Sequence, residues 1–353
     1  MSPPAPVAAD TIFYVSTRAR AEGFDTRQLA DSLEFGYAVF VHRSSPAERG
    51  APEYEADIVL ADSALLSEGE FAAALRAHAD RRPSPDDFAV FYVHGYGTSL
   101  HEAWTHTATA RIRSGDSAPW VVFAWPSNGT GVTMPRRGAL LDGAYQDDSV
   151  SAAASLPAFA RATRAVTGAV GAGRLVLTAH SLGGQVAGEA LASDTALRVT
   201  LGAAPLRAIA FIAPDVEARR FADYHVPALL PLTRRLVLYT SRRDRLLLVS
   251  RQLHGTNRAG LSASPPLVRP GLETVDTSDG VTSEGWGMRL FGTHHSIRRA
   301  VGTLVDLTRV VGPGFAASCR ATLGTATLDE DGVWRLTPLV STGPDDRSGC
   351  ERH

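Results

Sequence analysis

Five short apolar runs, each closed by small or polar residues, constrain this chain more than any other feature. They lie at 88–93, 120–125, 175–178, 208–212 and 235–240. A run that is apolar without alternation suits a strand covered on both faces, and so a parallel sheet between layers of helix. Stretches of helical character separate the runs, at 100–112, 149–170 and 185–192. This rhythm predicts a doubly wound, mostly parallel α/β sheet flanked by helices. Further strands are expected at 11–17, 37–43 and 272–276, and further helices at 67–79 and 296–310. In the first of these helices Phe71, Leu75 and His78 share a face. Residues 18–35 and 253–270 read as loops, the second lying over the strand ends.

The chain has 353 residues, 44% of them hydrophobic, enough for one large domain. That domain is expected over 11–314, after a short disordered leader at 1–10. Residues 315–353 form an extension with a small hairpin turned at Asp331-Gly332. A net charge of −2 offers no electrostatic footprint for nucleic acid or an anionic membrane. All 35 basic residues are arginine, which excludes lysine Schiff-base chemistry. The first residues, Met1-Ser2-Pro3-Pro4-Ala5-Pro6, carry neither a basic nor an apolar targeting region, and a cytoplasmic location is expected. No apolar run approaches the ~20 residues of a membrane helix. The two cysteines, Cys319 and Cys350, either clip the C-terminal tail or stay free thiols.

The third run continues as Thr178-Ala179-His180-Ser181-Leu182-Gly183-Gly184 and then turns helical. Strand, sharp turn and helix with a serine at the apex make a nucleophile elbow, the mark of an α/β-hydrolase fold. The turn tolerates only small residues two before and two after the serine. Here they are Ala179, in place of the usual glycine, and Gly183. Ordinary strand-to-helix turns with a capping serine share this pattern, so context must decide.

A serine nucleophile needs a base and a group to orient that base. In this fold the order is serine, acid, histidine, with the last two on loops after late strands. Asp244 follows the run at 235–240, and His294 and His295 lie beyond the strand at 272–276. Asp215, after the run at 208–212, is the competing acid, or else a helix cap. His94-Gly95-Tyr96-Gly97 follows an earlier strand, where the fold carries its second oxyanion donor. The oxyanion hole is therefore assigned to the backbone N–H groups of Tyr96 and Leu182. His94, Gly95, Trp125 and His180 flank these groups and are expected to bind substrate; Trp286 is a further aromatic candidate for an acyl pocket. His94, His101 and His106 lack zinc-ligand spacing, so no metal is expected.

Taken together, Phe91-Tyr92-Val93-His94-Gly95-Tyr96-Gly97, Phe123-Ala124-Trp125-Pro126-Ser127, Tyr145 with Asp148, Ala179-His180-Ser181-Leu182-Gly183, Ala213-Pro214-Asp215, Leu238-Tyr239-Thr240-Ser241-Arg242-Arg243-Asp244, Ser250 with Leu253-His254-Gly255, and His295-Ser296 resemble the α/β-hydrolase family known as domain of unknown function 900 (DUF900). The resemblance spans roughly 10–310. It departs at Gly97, where the family commonly has asparagine, and at Ile297, where an aromatic is common. It implies Ser181 as nucleophile, Asp244 as acid and His295 as base. The implied activity is cleavage of a small-molecule carboxylic ester or related acyl compound through an acyl-enzyme, without a cofactor. Acyl transfer by the same residues, and a non-catalytic binding scaffold, are the alternatives. Oligomeric state is not legible in the residues.

Overall fold

A computed structural model describes residues 8–19, 28–42, 58–81, 88–114, 118–127, 144–278 and 324–338. In chain order its strands are β1 (Ala8–Arg18), β2 (Leu29–His42), β3 (Ile58–Leu66), β4 (Ala89–Val93), β5 (Trp120–Ala124), β6 (Leu175–His180), β7 (Ala208–Ile212), β8 (Leu236–Thr240), β9 (Leu272–Asp276), β10 (Gly324–Leu328) and β11 (Val333–Pro338). They form one sheet in the order β10-β11-β9-β8-β7-β6-β4-β5-β1-β2-β3. Every pairing from β11 across to β1 is parallel. The outer pairs, β1–β2, β2–β3 and β10–β11, are antiparallel.

The expected α/β-hydrolase sheet is thus present, and its centre follows from the apolar runs. Every residue of β4, β5, β6, β7 and β8 is buried. Side chains alternate between the two faces of a strand. Ala89, Phe91 and Val93 of β4 join a core built with α1 (Glu68–Asp80) and helices described below; Val90 and Tyr92 join the opposite core with α2 (Leu100–Ser114). Both helices start with reciprocal caps, Ser67 with Glu70 and Ser99 with Glu102.

The helix expected at 149–170 is two helices, α3 (Ala144–Ala154) and α4 (Leu156–Val170). Pro157 has no N–H to donate and is tolerated only in a first turn, so α4 restarts around it. After the elbow come α5 (Gly183–Ser193) and α6 (Thr195–Ala203); Asp194 caps α6 through the Leu197 N–H at 2.7 Å. Next α7 (Ala218–Arg220) runs through a π-helical turn at Phe221–His225 into α8 (Val226–Leu229), and α9 (Arg245–His254) follows β8.

Three expectations change at the edges. Residues 18–35 are not all loop, because β2 starts at Leu29 and pairs along β1. A ribbon near the sheet edge has a wet face, which lets Asp31, Ser32 and Glu34 sit in a strand. β3, not among the expected strands, pairs antiparallel with β2. β1 begins at Ala8, inside the segment expected as a leader, and the hairpin at Asp331-Gly332 adds β11 to β9 in the same sheet. The helix expected at 296–310 lies outside the described residues, as do Cys319 and Cys350.

Candidate active site

β4 and β6 are neighbours, yet the chain leaves them in opposite directions across the sheet. That is the switch point where open α/β sheets bind ligands, beyond the carboxyl ends of the strands. Ser181 sits there, between β6 and α5, at φ 51°. A left-handed backbone at a non-glycine residue is strained and must be held by its surroundings. The Ser181 N–H donates to the Ile212 carbonyl at 3.0 Å; its own carbonyl accepts from the N–H groups of Gly184 at 2.9 Å and Asp215 at 3.0 Å.

Two glycines bring the loop after β4 onto this turn. A Cβ on Gly183 would collide with the carbonyl oxygens of Val93 and His94. A Cβ on Gly95 would lie 2.9 Å from both the Ser181 Cβ and the His180 Nδ1. This packing also explains a departure from expectation. Although an apex serine would ordinarily face solvent, Ser181 is only 3% exposed.

Tyr96 follows Gly95, and the loop beyond it is tied down. Gly97, at φ 65°, donates its N–H to the Asp148 carboxylate at 3.1 Å. Thr98 donates its N–H to Ser127 Oγ at 3.1 Å, and that hydroxyl donates to the same Asp148 oxygen at 2.5 Å. Among the described residues, the amide N–H groups of Tyr96 and Leu182 meet no hydrogen-bond acceptor.

His94 and Trp125, expected to touch substrate, are fully buried. Their rings stack 5.2 Å apart, and the indole N–H donates to the His94 carbonyl at 2.8 Å. They support the loop from beneath. His180 is buried against Gly95. The His94 Nδ1 lies 2.9 Å from the Gly95 carbonyl, which requires the proton on Nδ1. Burial first, then the Arg18 guanidinium, push this imidazole down to about 3 from an ordinary 6.5. In the unfolded chain it regains the ordinary value, so unfolding takes up a proton between those limits. The stability it confers is complete above pH 6.5 and is lost as pH falls toward 3. The acid limb of a Tm–pH profile should therefore be shallower in His94→Gln than in the wild type. Parallel limbs would show that His94 is not held neutral.

The two candidate acids differ sharply. Asp215 is not the helix cap it was read as: Glu217 stands at the head of α7. Both Asp215 carboxylate oxygens are instead committed inside the protein. Oδ1 accepts from Arg258 Nε at 2.5 Å and from Ser250 Oγ at 2.7 Å; Oδ2 accepts from the Tyr145 hydroxyl at 2.6 Å. Burial, then the Asp215 charge, push the Tyr145 phenol far above its ordinary range. Asp244 caps α9, with Oδ1 accepting the Leu247 N–H at 2.9 Å. It lies after β8, two strands from β6, in a turn fixed by the Arg242 N–H on Ser278 Oγ at 2.8 Å and the Ser241 N–H on the Gly260 carbonyl at 3.0 Å. Among the described residues no cluster of His, Cys, Asp and Glu would hold a metal ion, and no helix is long and apolar enough to cross a membrane. His294, His295 and Trp286 lie outside those residues.

The family model described as an alpha/beta hydrolase of unknown function (DUF900) matches residues 67–281. The chain belongs to this family. The DUF900 match holds the elbow, the loop after β4 and both candidate acids; β1, β2, β3, β10 and β11 fall outside it. No curated protein matches the chain. Solved structures similar to this DUF900 chain include a prolyl endopeptidase (13% identity, TM-score 0.29, 86% of this chain and 38% of that one). Others are prolyl oligopeptidase B from Galerina marginata (11%, 0.27, 86% and 37%) and oligopeptidase B from Leishmania major (11%, 0.24, 79% and 42%). The chain spans less than half the length of each, and at such identities the likeness says nothing of substrate.

Proposed function

We propose that this α/β-hydrolase is a serine hydrolase acting on a carboxylic ester or related acyl compound. The observation that carries the reading is the contact between elbow and loop. A strained serine at the switch point has the Gly95 backbone close to its Cβ, and the Tyr96 and Leu182 amides are the next along the chain from these two residues. His295 takes the proton from Ser181 Oγ as the oxygen attacks the acyl carbon. Asp244 holds the imidazole tautomer and stabilises the imidazolium. The two amides receive the oxyanion, and Leu182, at the head of α5, adds the positive end of that helix. The imidazolium returns its proton to the departing alcohol, and water then frees the acid. The position of Asp244 after β8, beyond the serine in chain order, supports it as the acid.

A fluorophosphonate probe with a panel of p-nitrophenyl esters of increasing chain length tests this reading. The wild type should be labelled at Ser181 and should turn over at least one ester. His295→Ala should slow labelling and kcat at least ~100-fold more than His294→Ala, the range of a lost general base. The reverse ranking moves the base to His294, and no labelling of the wild type rejects the hydrolase reading.

A further inference from the structure

β1 lies outside the family match yet sends a side chain to the loops that follow β4 and β5. It pairs in parallel with β5, Ser16 opposite Ala124, so Arg18 emerges just beyond the carboxyl end of β5. Its pairing with β2 slips between Ser16 and Arg18. Such an irregularity re-aims a side chain. The Ser16 hydroxyl holds the bend, donating to the Ala124 carbonyl at 3.3 Å and accepting the Arg18 N–H at 3.1 Å. The Arg18 guanidinium then lies 2% exposed between the loops after β4 and β5. Nη2 donates to the Thr98 carbonyl at 2.5 Å and Nη1 to the Ser127 carbonyl at 3.2 Å.

We propose that Arg18 is a positioning residue for the oxyanion hole, contributed by a strand outside the family core. The proposal rests on the serine-hydrolase reading. Both residues that Arg18 grips also fix the loop from the other side, since the Thr98 N–H binds Ser127 Oγ, and that oxygen and the Gly97 N–H bind Asp148. The peptide groups after Tyr96 are thus held by a cation on one side and a carboxylate on the other. The peptide that carries the Tyr96 N–H is thereby anchored on its far side, while on its near side the Gly95 carbonyl lies 2.9 Å from His94 Nδ1. A buried guanidinium is costly to desolvate, and an apolar residue could have anchored the end of this buried strand. What a guanidinium adds is a planar fork of donors that grips the Thr98 and Ser127 carbonyls at once.

The test compares wild type, Arg18→Met, Arg18→Lys and Ser127→Ala in ester hydrolysis, with kcat normalised to serines titrated by a fluorophosphonate. Each is also tested for inhibition by a boronic acid, whose tetrahedral adduct on Ser181 carries the negative charge of the transition state. Arg18→Met should lower kcat about tenfold to a hundredfold, below the loss of a direct oxyanion donor, with KM within about threefold. Boronate affinity should fall in parallel, and Arg18→Lys should recover part of both. If Arg18→Met does not fold, Arg18→Lys and Ser127→Ala decide, each with an expected loss of several fold in kcat and boronate affinity. A role in stability alone predicts lower Tm with unchanged kcat per titrated serine and unchanged boronate affinity, and that result overturns the proposal. Failure of the underlying reading looks different: a wild type that neither turns over esters nor takes the probe, which overturns both.

Discussion

Ser181→Ala is expected to abolish ester hydrolysis, by ~10⁴-fold or more, while the protein stays folded. The backbone contacts that hold the elbow use the Ser181 N–H and carbonyl, not its hydroxyl, so alanine keeps them. Alanine also keeps the Cβ that packs against Gly95. What disappears is the one oxygen that can attack the acyl carbon. A glycine at the same position is a control for strain. A left-handed backbone at φ 51° costs an alanine on the order of 1 kcal/mol that glycine avoids. Ser181→Gly should therefore be as inactive as Ser181→Ala and melt no lower. Steady-state kinetics with the best p-nitrophenyl ester, beside thermal melts, reads both quantities. Residual kcat within tenfold of wild type would remove Ser181 from the mechanism.

The sheet was legible because its central strands are buried on both faces, and that burial shows as unbroken apolar runs. The strand expected at 272–276 is found at those residues. The elbow was legible because steric crowding restricts residue type on both sides of the serine. Residues whose partners are distant in the chain were harder to place. Arg18 reads as the start of a polar loop until pairing with β5 shows which loops it reaches. Asp215 has the look of a cap after Pro214, yet its partners Tyr145, Ser250 and Arg258 come from three separate segments. Trp125 and His94 look like pocket walls, but their backbone and ring contacts turn them inward. Each of these misreadings concerns side-chain direction, which depends on register and packing rather than on local pattern. The break between α3 and α4 is different, since Pro157 announces it locally.

Asp244→Asn and Asp215→Asn should separate catalysis from stability. Asparagine caps a helix about as well as aspartate, so Asp244→Asn preserves the bond to the Leu247 N–H and with it the start of α9. Its Tm should stay close to wild type. The amide, however, favours the wrong imidazole tautomer and cannot stabilise the imidazolium, so kcat should fall by roughly 10³–10⁴ with little change in KM. Asp215→Asn should do the opposite. Its carboxylate is the counter-charge of Arg258, and both side chains are almost wholly buried. Removing one charge of such a pair leaves the other uncompensated, at a cost of about 3–5 kcal/mol when the partner is lost outright and less when an amide remains. A Tm lowered by several degrees is the expected reading, with kcat per titrated serine near wild type. The N–H that Asp215 gives to the Ser181 carbonyl belongs to the backbone and survives the change, so the elbow keeps its support. Melts and kinetics of both variants decide the matter. If Asp215→Asn is inactive at full stability while Asp244→Asn still turns over ester, the acid of this site is Asp215, and its bonds to Tyr145, Ser250 and Arg258 must rearrange to admit a histidine.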